Sequence, residues 1–238
     1  MSQRWEELLS IVIPTRNEPL ARDLVVQLRE TLQSSTDDYE ILAVDKSEDD
    51  TPTQLRRLGV RVIEQKSKGL GGAIVEGLEA TKGDPVIVMD ADLSHNPKFI
   101  PAFLEKFSEG FDIVVGSRRV RGGGVVGWGL YRRAVSKVGN ALGRWVAGVE
   151  TSDVTSGYRL YSRRVIESLD FTCFRSSGYA FQLEVLAAAS EKGFRIGVVP
   201  IIFRDRVQGE SKLSKRDIFE FLLTAIWLGL RRFRRALT

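Results

Sequence analysis

The chain predicts an α/β fold built on a mostly parallel, doubly wound central sheet. Short apolar runs alternate with helix-length segments through the first half, and each run ends in a polar or glycine-containing turn. No internal repeat or low-complexity linker interrupts the 238 residues. Strand–helix units of this length join parallel strands through helical crossovers. The length fits one large domain.

Residues 9–14 (Leu-Ser-Ile-Val-Ile-Pro) read as the first strand, with a helix after Glu18. Residues 39–45 form a second strand and 60–64 a short third. A glycine-started helix runs over 69–80. Residues 86–90, bounded by Gly83 and Pro85, form a buried apolar strand, and 99–107 a helix. Residues 111–116 make the next strand. Arg121-Gly122-Gly123-Gly124 is the one flexible break, dividing residues 1–120 from the second half of the same domain. Beyond it Trp128, Tyr131, Val135, Val138, Leu142 and Trp145 recur at three- and four-residue steps, so they share a helix face. Arg132, Arg133, Ser136, Lys137 and Arg144 fall off that stripe. Residues 178–192 are helical and 195–202 a strand. A polar, basic loop spans 203–213 and closes the second portion, 121–214. The tail 215–238 is an amphipathic helix with Ile218, Phe219, Leu222, Leu223, Ile226, Trp227 and Leu230 on one side.

Composition narrows the chemistry. A hydrophobic fraction of 43% is ample for a core. Cys173 is the only cysteine, which fits a reducing cytosol, and the first residues lack the apolar stretch of a secretory signal. The single histidine, His95, reads as a loop or cap residue and leaves no material for a histidine-centred triad or a His-rich zinc site. A net charge of +4 and a pI near 9.3 suit phosphorylated substrates, anionic lipid or nucleic acid.

Polar residues cluster where strands end: Pro14-Thr15-Arg16-Asn17-Glu18, Asp45, Asp90-Ala91-Asp92 and Gly116-Ser117-Arg118. These four strands are expected to be neighbours, so their ends converge on one crevice, the place where open α/β sheets bind ligands. Asp90 and Asp92 suit a hard divalent ion, Mg²⁺ or Mn²⁺, held between protein oxygens and a diphosphate. They serve equally to open the loop and cap the helix near Pro97. Gly69-Leu70-Gly71-Gly72 matches neither a Walker loop nor a dinucleotide fingerprint, although Lys66 and Lys68 beside it reach far enough for a phosphate. Arg206 and Lys212 make the 203–213 loop either a lid over a diphosphate leaving group or an ordinary exposed loop.

Taken together, these residues resemble the family 2 glycosyltransferases of the GT-A, Rossmann-like fold, and most of all the dolichyl- or polyprenyl-phosphate mannosyltransferases. The resemblance rests on residues 11–18, Gly69-Leu70-Gly71, residues 90–97, Gly116-Ser117-Arg118, Ser156-Gly157-Tyr158-Arg159 and residues 206–213, and spans about 8–214. It implies transfer of mannose from GDP-mannose to a polyprenyl phosphate. Pro14, Thr15, Arg16, Glu18, Asp45, Lys68, Gly69 and Ala91 would meet the nucleotide sugar. Asp90, Asp92 and Ser94 would meet the metal. Arg118, Arg132 and Ser136 would meet the acceptor phosphate, with Arg206 and Lys212 closing over the nucleotide. Asp92, Arg118, Arg206 and Lys212 are the expected catalytic set. Two positions depart from the family pattern: Ser94 where glutamine is usual, and Lys46 where a second acid is usual.

The acceptor's tail lies in a bilayer. Residues 218–230 extend only about 20 Å as a helix, against a hydrocarbon core of about 30 Å, and are followed by Arg231, Arg232, Arg234 and Arg235. That pattern predicts a helix lying in the interface, with the 128–145 helix as partner, at the cytoplasmic face of a membrane. Packing of both stripes on the sheet is the alternative. A membrane anchoring subunit is left undetermined. The competing activities are UDP-sugar transfer to polyprenyl phosphate and, from another class, non-catalytic membrane or nucleic-acid binding, though no nucleic-acid partner is expected.

Overall fold

Along the strand Leu9–Thr15 (β1), alternate side chains enter two different cores. Leu9, Ile11 and Ile13 pack with the helices Ala21–Ser35 (α1) and Ile100–Ser108 (α4). Val12 points the other way, towards Gly69–Ala80 (α3) and Phe181–Glu191 (α7). Strands covered on both faces read as continuous apolar runs, which is why they were visible in the sequence. The computed structural model describes residues 4–176, 178–205 and 215–236.

The main sheet has seven strands. From one edge they are Arg61–Glu64 (β3), Tyr39–Asp45 (β2), β1, Val86–Val88 (β4), Arg159–Tyr161 (β7), Ile113–Ser117 (β5) and Ile196–Pro200 (β8). All pairs are parallel except those made by β7, which is antiparallel to both β4 and β5. The expectation that the β4 and β5 ends are direct neighbours is therefore corrected. The inserted strand starts at Arg159, a fully buried arginine. Its guanidinium donates to the carbonyls of Val154, Ser156 and Gln182 at 2.9, 2.8 and 2.7 Å. Three residues headed by a charge leave no apolar run to detect.

Two further expectations change. The glycine run does not make a flexible break: Gly123 N–H closes a turn on Val120, and Gly124–Val126 (β6) pairs in parallel with Ile202–Arg204 (β9). The strand expected over 195–202 is two strands, β8 and β9, interrupted at Ile201, whose N–H donates to the Ser117 carbonyl. Thr51–Arg57 (α2) and Arg163–Ser168 (α6) are short connecting helices.

Leu130–Ala147 (α5) and Lys215–Ala236 (α8) complete the α3/α7 side. Trp128 precedes α5 rather than lying on it. Helix α8 docks through Phe221, Ala225 and Leu228. It meets α5 where side chains are absent: a Cβ on Gly143 would stand 3.0 Å from Phe221, and one on Gly229 would overlap Val146. What remains outward is apolar. Leu130, Tyr131, Val138 and Trp145 on α5, and Phe219, Leu223, Ile226, Leu230 and Phe233 on α8, are exposed. Among the described residues no helix is long and apolar enough to cross a membrane.

Candidate active site

The parallel pairing of β1 with β2 sets Thr15 opposite Asp45. Asp45 is buried, and its carboxylate accepts from Thr15 Oγ1 at 2.7 Å, Ser47 Oγ at 2.7 Å and Ser47 N–H at 3.1 Å. Asn17 takes φ +53° and laces the two strand-end loops together, its N–H to Ser47 Oγ and its Oδ1 to Glu48 N–H. Pro14, Thr15, Glu18 and Asp45 thus lie together, with Arg16 exposed beside them. At the start of α3, Gly69 takes φ +74° after Lys68. Gly71 is glycine because Phe181 of α7 occupies the place of a Cβ. That part of the motif is a packing requirement.

Asp90 and Asp92 leave β4 in a strained turn. Leu93 holds φ +62°, a left-handed conformation unusual for a leucine, while Asp92 Oδ1 accepts the Ser94 N–H at 3.0 Å. His95 lies in the loop after β4, in keeping with its reading as a loop or cap residue, but it is buried. It is 2% exposed, stacked on Tyr158 with ring centroids 5.0 Å apart, and edge-on to Phe203. Its Nδ1 accepts the Asp90 N–H at 3.0 Å, which puts the ring proton on Nε2. Burial lowers its pKa although Asp90 and Asp92 pull it upward, so the imidazole is neutral at pH 7. Sequence reasoning missed this buttress because a lone histidine carries no periodic signal.

The donor set tests the implied metal. Asp90, Asp92 and the Ser94 hydroxyl offer only oxygen, and Ser94 Oγ is buried with no hydrogen-bond partner. Hard ions such as Mg²⁺ or Mn²⁺ fit this chemistry. Among the described residues no group of three or more His, Cys, Asp or Glu assembles, so substrate and water oxygens would complete the shell.

Across β7, the end of β5 carries Arg118. Asp153, fully buried, grips it: Arg118 Nε donates to Oδ2 at 2.6 Å and Nη2 to Oδ1 at 2.7 Å. Burial raises the Asp153 pKa, but the Arg118 bonds and charge outweigh it and hold the carboxyl below its usual range. The Arg118 guanidinium lies 5.3 Å from the Trp128 ring centre and that of Arg132 4.2 Å. Arg132 also pairs with Asp205 at 2.9 Å. Ser136 Oγ accepts from Arg119 Nη2 at 2.8 Å, so Arg119 joins the group. Asp153, Arg119 and Trp128 went unassigned in sequence; the partners of Asp153 and Arg119 lie 35 and 17 residues away, too far for a local pattern.

A cavity of about 460 Å³ joins the two sides, with Asp90, His95, Arg118, Arg132, Ser136 and Gln182 among its walls, and it runs outward between α5 and α8 past Tyr131, Val138 and Leu222. Of the expected metal residues only Asp90 shares this space with the expected acceptor residues Arg118, Arg132 and Ser136. Pro14, Thr15, Arg16, Glu18, Asp45, Lys68, Gly69, Ala91, Asp92 and Ser94 do not line it, while Leu70 does. Arg206 and Lys212, expected to close over the nucleotide, lie outside the described residues.

Comparison with known proteins identifies the family and the fold. The model of "Glycosyl transferase family 2" matches residues 10–170. Polyprenol monophosphomannose synthase of Mycolicibacterium smegmatis is 36% identical over 232 residues, covering 93% of this chain and 86% of that one. Dolichol-phosphate mannosyltransferase of Pyrococcus furiosus is 35% identical over 90% of this chain, which spans 61% of its length. Glucosyl-3-phosphoglycerate synthase from Mycobacterium tuberculosis, solved with Mn²⁺, UDP and phosphoglyceric acid, shares the fold at a TM-score of 0.72 and 20% identity, over 94% of this chain and 78% of that one. Its likeness extends the GT-A sheet to the present molecule. With the family model matching more than half of its length and relatives above 30% identity covered over most of theirs, the chain belongs to glycosyl transferase family 2.

Proposed function

We propose that the enzyme transfers mannose from GDP-mannose to a polyprenyl phosphate such as dolichyl phosphate, with inversion at the anomeric carbon. The observation that carries this reading is the shared cavity, in which a carboxylate suited to a metal-bound diphosphate faces arginines suited to a phosphate monoester. The names of the similar proteins support the same transferred sugar and acceptor class.

In this mechanism a phosphate oxygen of the acceptor attacks the anomeric carbon as the bond to the diphosphate breaks, releasing GDP. The acceptor's second pKa is about 6, so it is largely dianionic near pH 7 and requires no strong base. A neutral, buried His95 is consistent with that. What the site must supply is positive charge, because two anions approach each other. Arg118, fixed by Asp153, and Arg132, fixed by Asp205 and Trp128, hold the acceptor phosphate together with Ser136. Asp90 and Asp92 would hold a divalent ion, which contributes charge to the departing diphosphate when bound. Arg206 and Lys212 are assigned to the same leaving group.

The exposed apolar residues of α5 and α8 would rest in the membrane interface, where the cavity mouth between these helices admits a prenyl chain without removing it from the lipid. The test uses radiolabelled GDP-mannose, a short polyprenyl phosphate and Mg²⁺ or Mn²⁺, with UDP-glucose in parallel. Label should enter the organic phase from GDP-mannose, vanish with EDTA, and vanish in Asp92→Ala. Label arising only from UDP-glucose would overturn the donor, and near-wild-type transfer by Asp92→Ala would overturn the metal assignment.

A further inference from the structure

One buried side chain in the cavity has a chemistry that neither the phosphate sites nor the metal site uses. Gln182 is 1% exposed, and both Oε1 and Nε2 lack a hydrogen-bond partner. Its backbone is pinned: the carbonyl accepts from the buried Arg159 at 2.7 Å, and the N–H donates to Tyr179. Neighbouring Phe181 packs against Gly71 at the start of α3. The first turn of α7 is therefore held in place, and Gln182 lines the same cavity as Asp90, His95 and Gly157.

We propose that Gln182 reads a vicinal pair of hydroxyls on the transferred hexose, an assignment that rests on the glycosyl-transfer reading above. An amide sets an acceptor and a donor side by side, so one hydroxyl donates to Oε1 while its neighbour accepts from Nε2. A phosphate is a poor match, because it offers acceptors alone and would face Oε1 with negative charge. A nucleobase also matches amides, but the β1 and β2 ends assigned to the nucleoside do not line this cavity. The hexose is the polyhydroxylated group that must lie between the Asp90 carboxylate and the acceptor arginines. A buried polar group left unpaired destabilises the fold, and a site that pairs it only with substrate discriminates against analogues lacking the hydroxyl.

This assignment makes two opposite demands on one substitution. Gln182→Met keeps the volume and removes the orphan amide. Without substrate, its melting temperature should be equal to wild type or higher by about 2–4 °C. With GDP-mannose, kcat/KM should fall about 100-fold, the loss expected when a buried hydroxyl is left without its partner. Deoxy donors lacking one hydroxyl at C2, C3, C4 or C6 complete the cycle. Wild type should lose about 100-fold on two adjacent deoxy positions, and the variant should treat those donors and GDP-mannose within about 3-fold of each other. Gln182→Leu serves as a second apolar replacement should the methionine variant fail to fold.

If the apolar variants discriminate among deoxy donors as wild type does, Gln182 does not touch the sugar. A melting temperature lowered in both variants, with unchanged discrimination in whatever activity is left, would make the amide a packing element and overturn the proposal. Absence of mannose transfer by the wild-type enzyme refutes the underlying reading instead, so the two failures are distinguishable.

Discussion

Arg118 owes its position to Asp153, and the pair is closed to water on nearly every side: Asp153 is fully buried and the Arg118 side chain is 8% exposed. Removing one charge from such a pair leaves the other buried and unpaired, at a cost of about 3–5 kcal/mol. Asp153→Asn should lower the melting temperature by about 10 °C and weaken use of the acceptor more than of the donor. The sign with pH follows from the depressed carboxyl. Stability from the pair is complete above the unfolded pKa of about 4 and is lost as pH falls through the lower folded value. Melts between pH 7 and pH 3 should show wild type losing this contribution at the acid end and Asp153→Asn lacking it throughout. A variant that melts with wild type across the range would remove the pair from the account. Nothing local in the sequence announces Asp153, because its partner is 35 residues away and the segment around it has no periodicity. Asp90 and Asp92 were legible for the opposite reason: a strand end and a carboxylate pair are adjacent in sequence.

Elements with a regular period were legible, and their docking faces were not. Both α5 and α8 follow from apolar residues at helical spacing, yet that spacing does not say which side turns inward. The structure turns most of the expected α8 stripe outward: Phe219, Leu222, Leu223, Ile226 and Leu230 are exposed, while Phe221, Ala225 and Leu228, which lay outside that stripe, enter the core. The inward side is the one that meets glycines. Gly229 lies against Val146, and Gly143 against Phe221 and Val154. Gly229→Val should therefore push the helices apart at about 1–3 kcal/mol, the range for overpacking. Trypsin should then cut the arginine-rich end of α8 several-fold faster than in wild type. Gly129→Ala, where nothing lies within 4 Å, is the matched control and should digest as wild type does. Equal digestion of Gly229→Val would mean that α8 is not seated on Val146. The strand β7 shows the other limit of legibility, since pairing between distant segments through a buried arginine leaves no period to read.

At the scale of the molecule, the polar strand ends and the α5–α8 face are linked by one cavity, so the proposed catalysis and the proposed membrane attachment would be geometrically coupled. In the proposed reaction the acceptor's phosphate would sit at Arg118 while its prenyl tail stays in apolar surroundings, and the cavity runs from that arginine to the exposed apolar residues of the two helices. Deleting the tail is a poor test of attachment, because Phe221, Ala225 and Leu228 belong to the core. Leu223→Glu with Ile226→Glu is the better one: both side chains are about half exposed, so the fold should tolerate the change. Each apolar side chain withdrawn from lipid forfeits about 1.5–3 kcal/mol, so vesicle flotation should fall at least 100-fold on anionic and neutral bilayers alike. Raising salt should weaken the wild-type protein only on anionic vesicles, because screening reaches the α8 arginines and leaves apolar contact intact. The same double variant should keep its rate on a short, water-soluble acceptor and lose it on a long-chain acceptor embedded in vesicles. Flotation equal to wild type would place the membrane contact elsewhere on the molecule. Loss of rate on both acceptors would mean that the substitutions had reached the catalytic cavity.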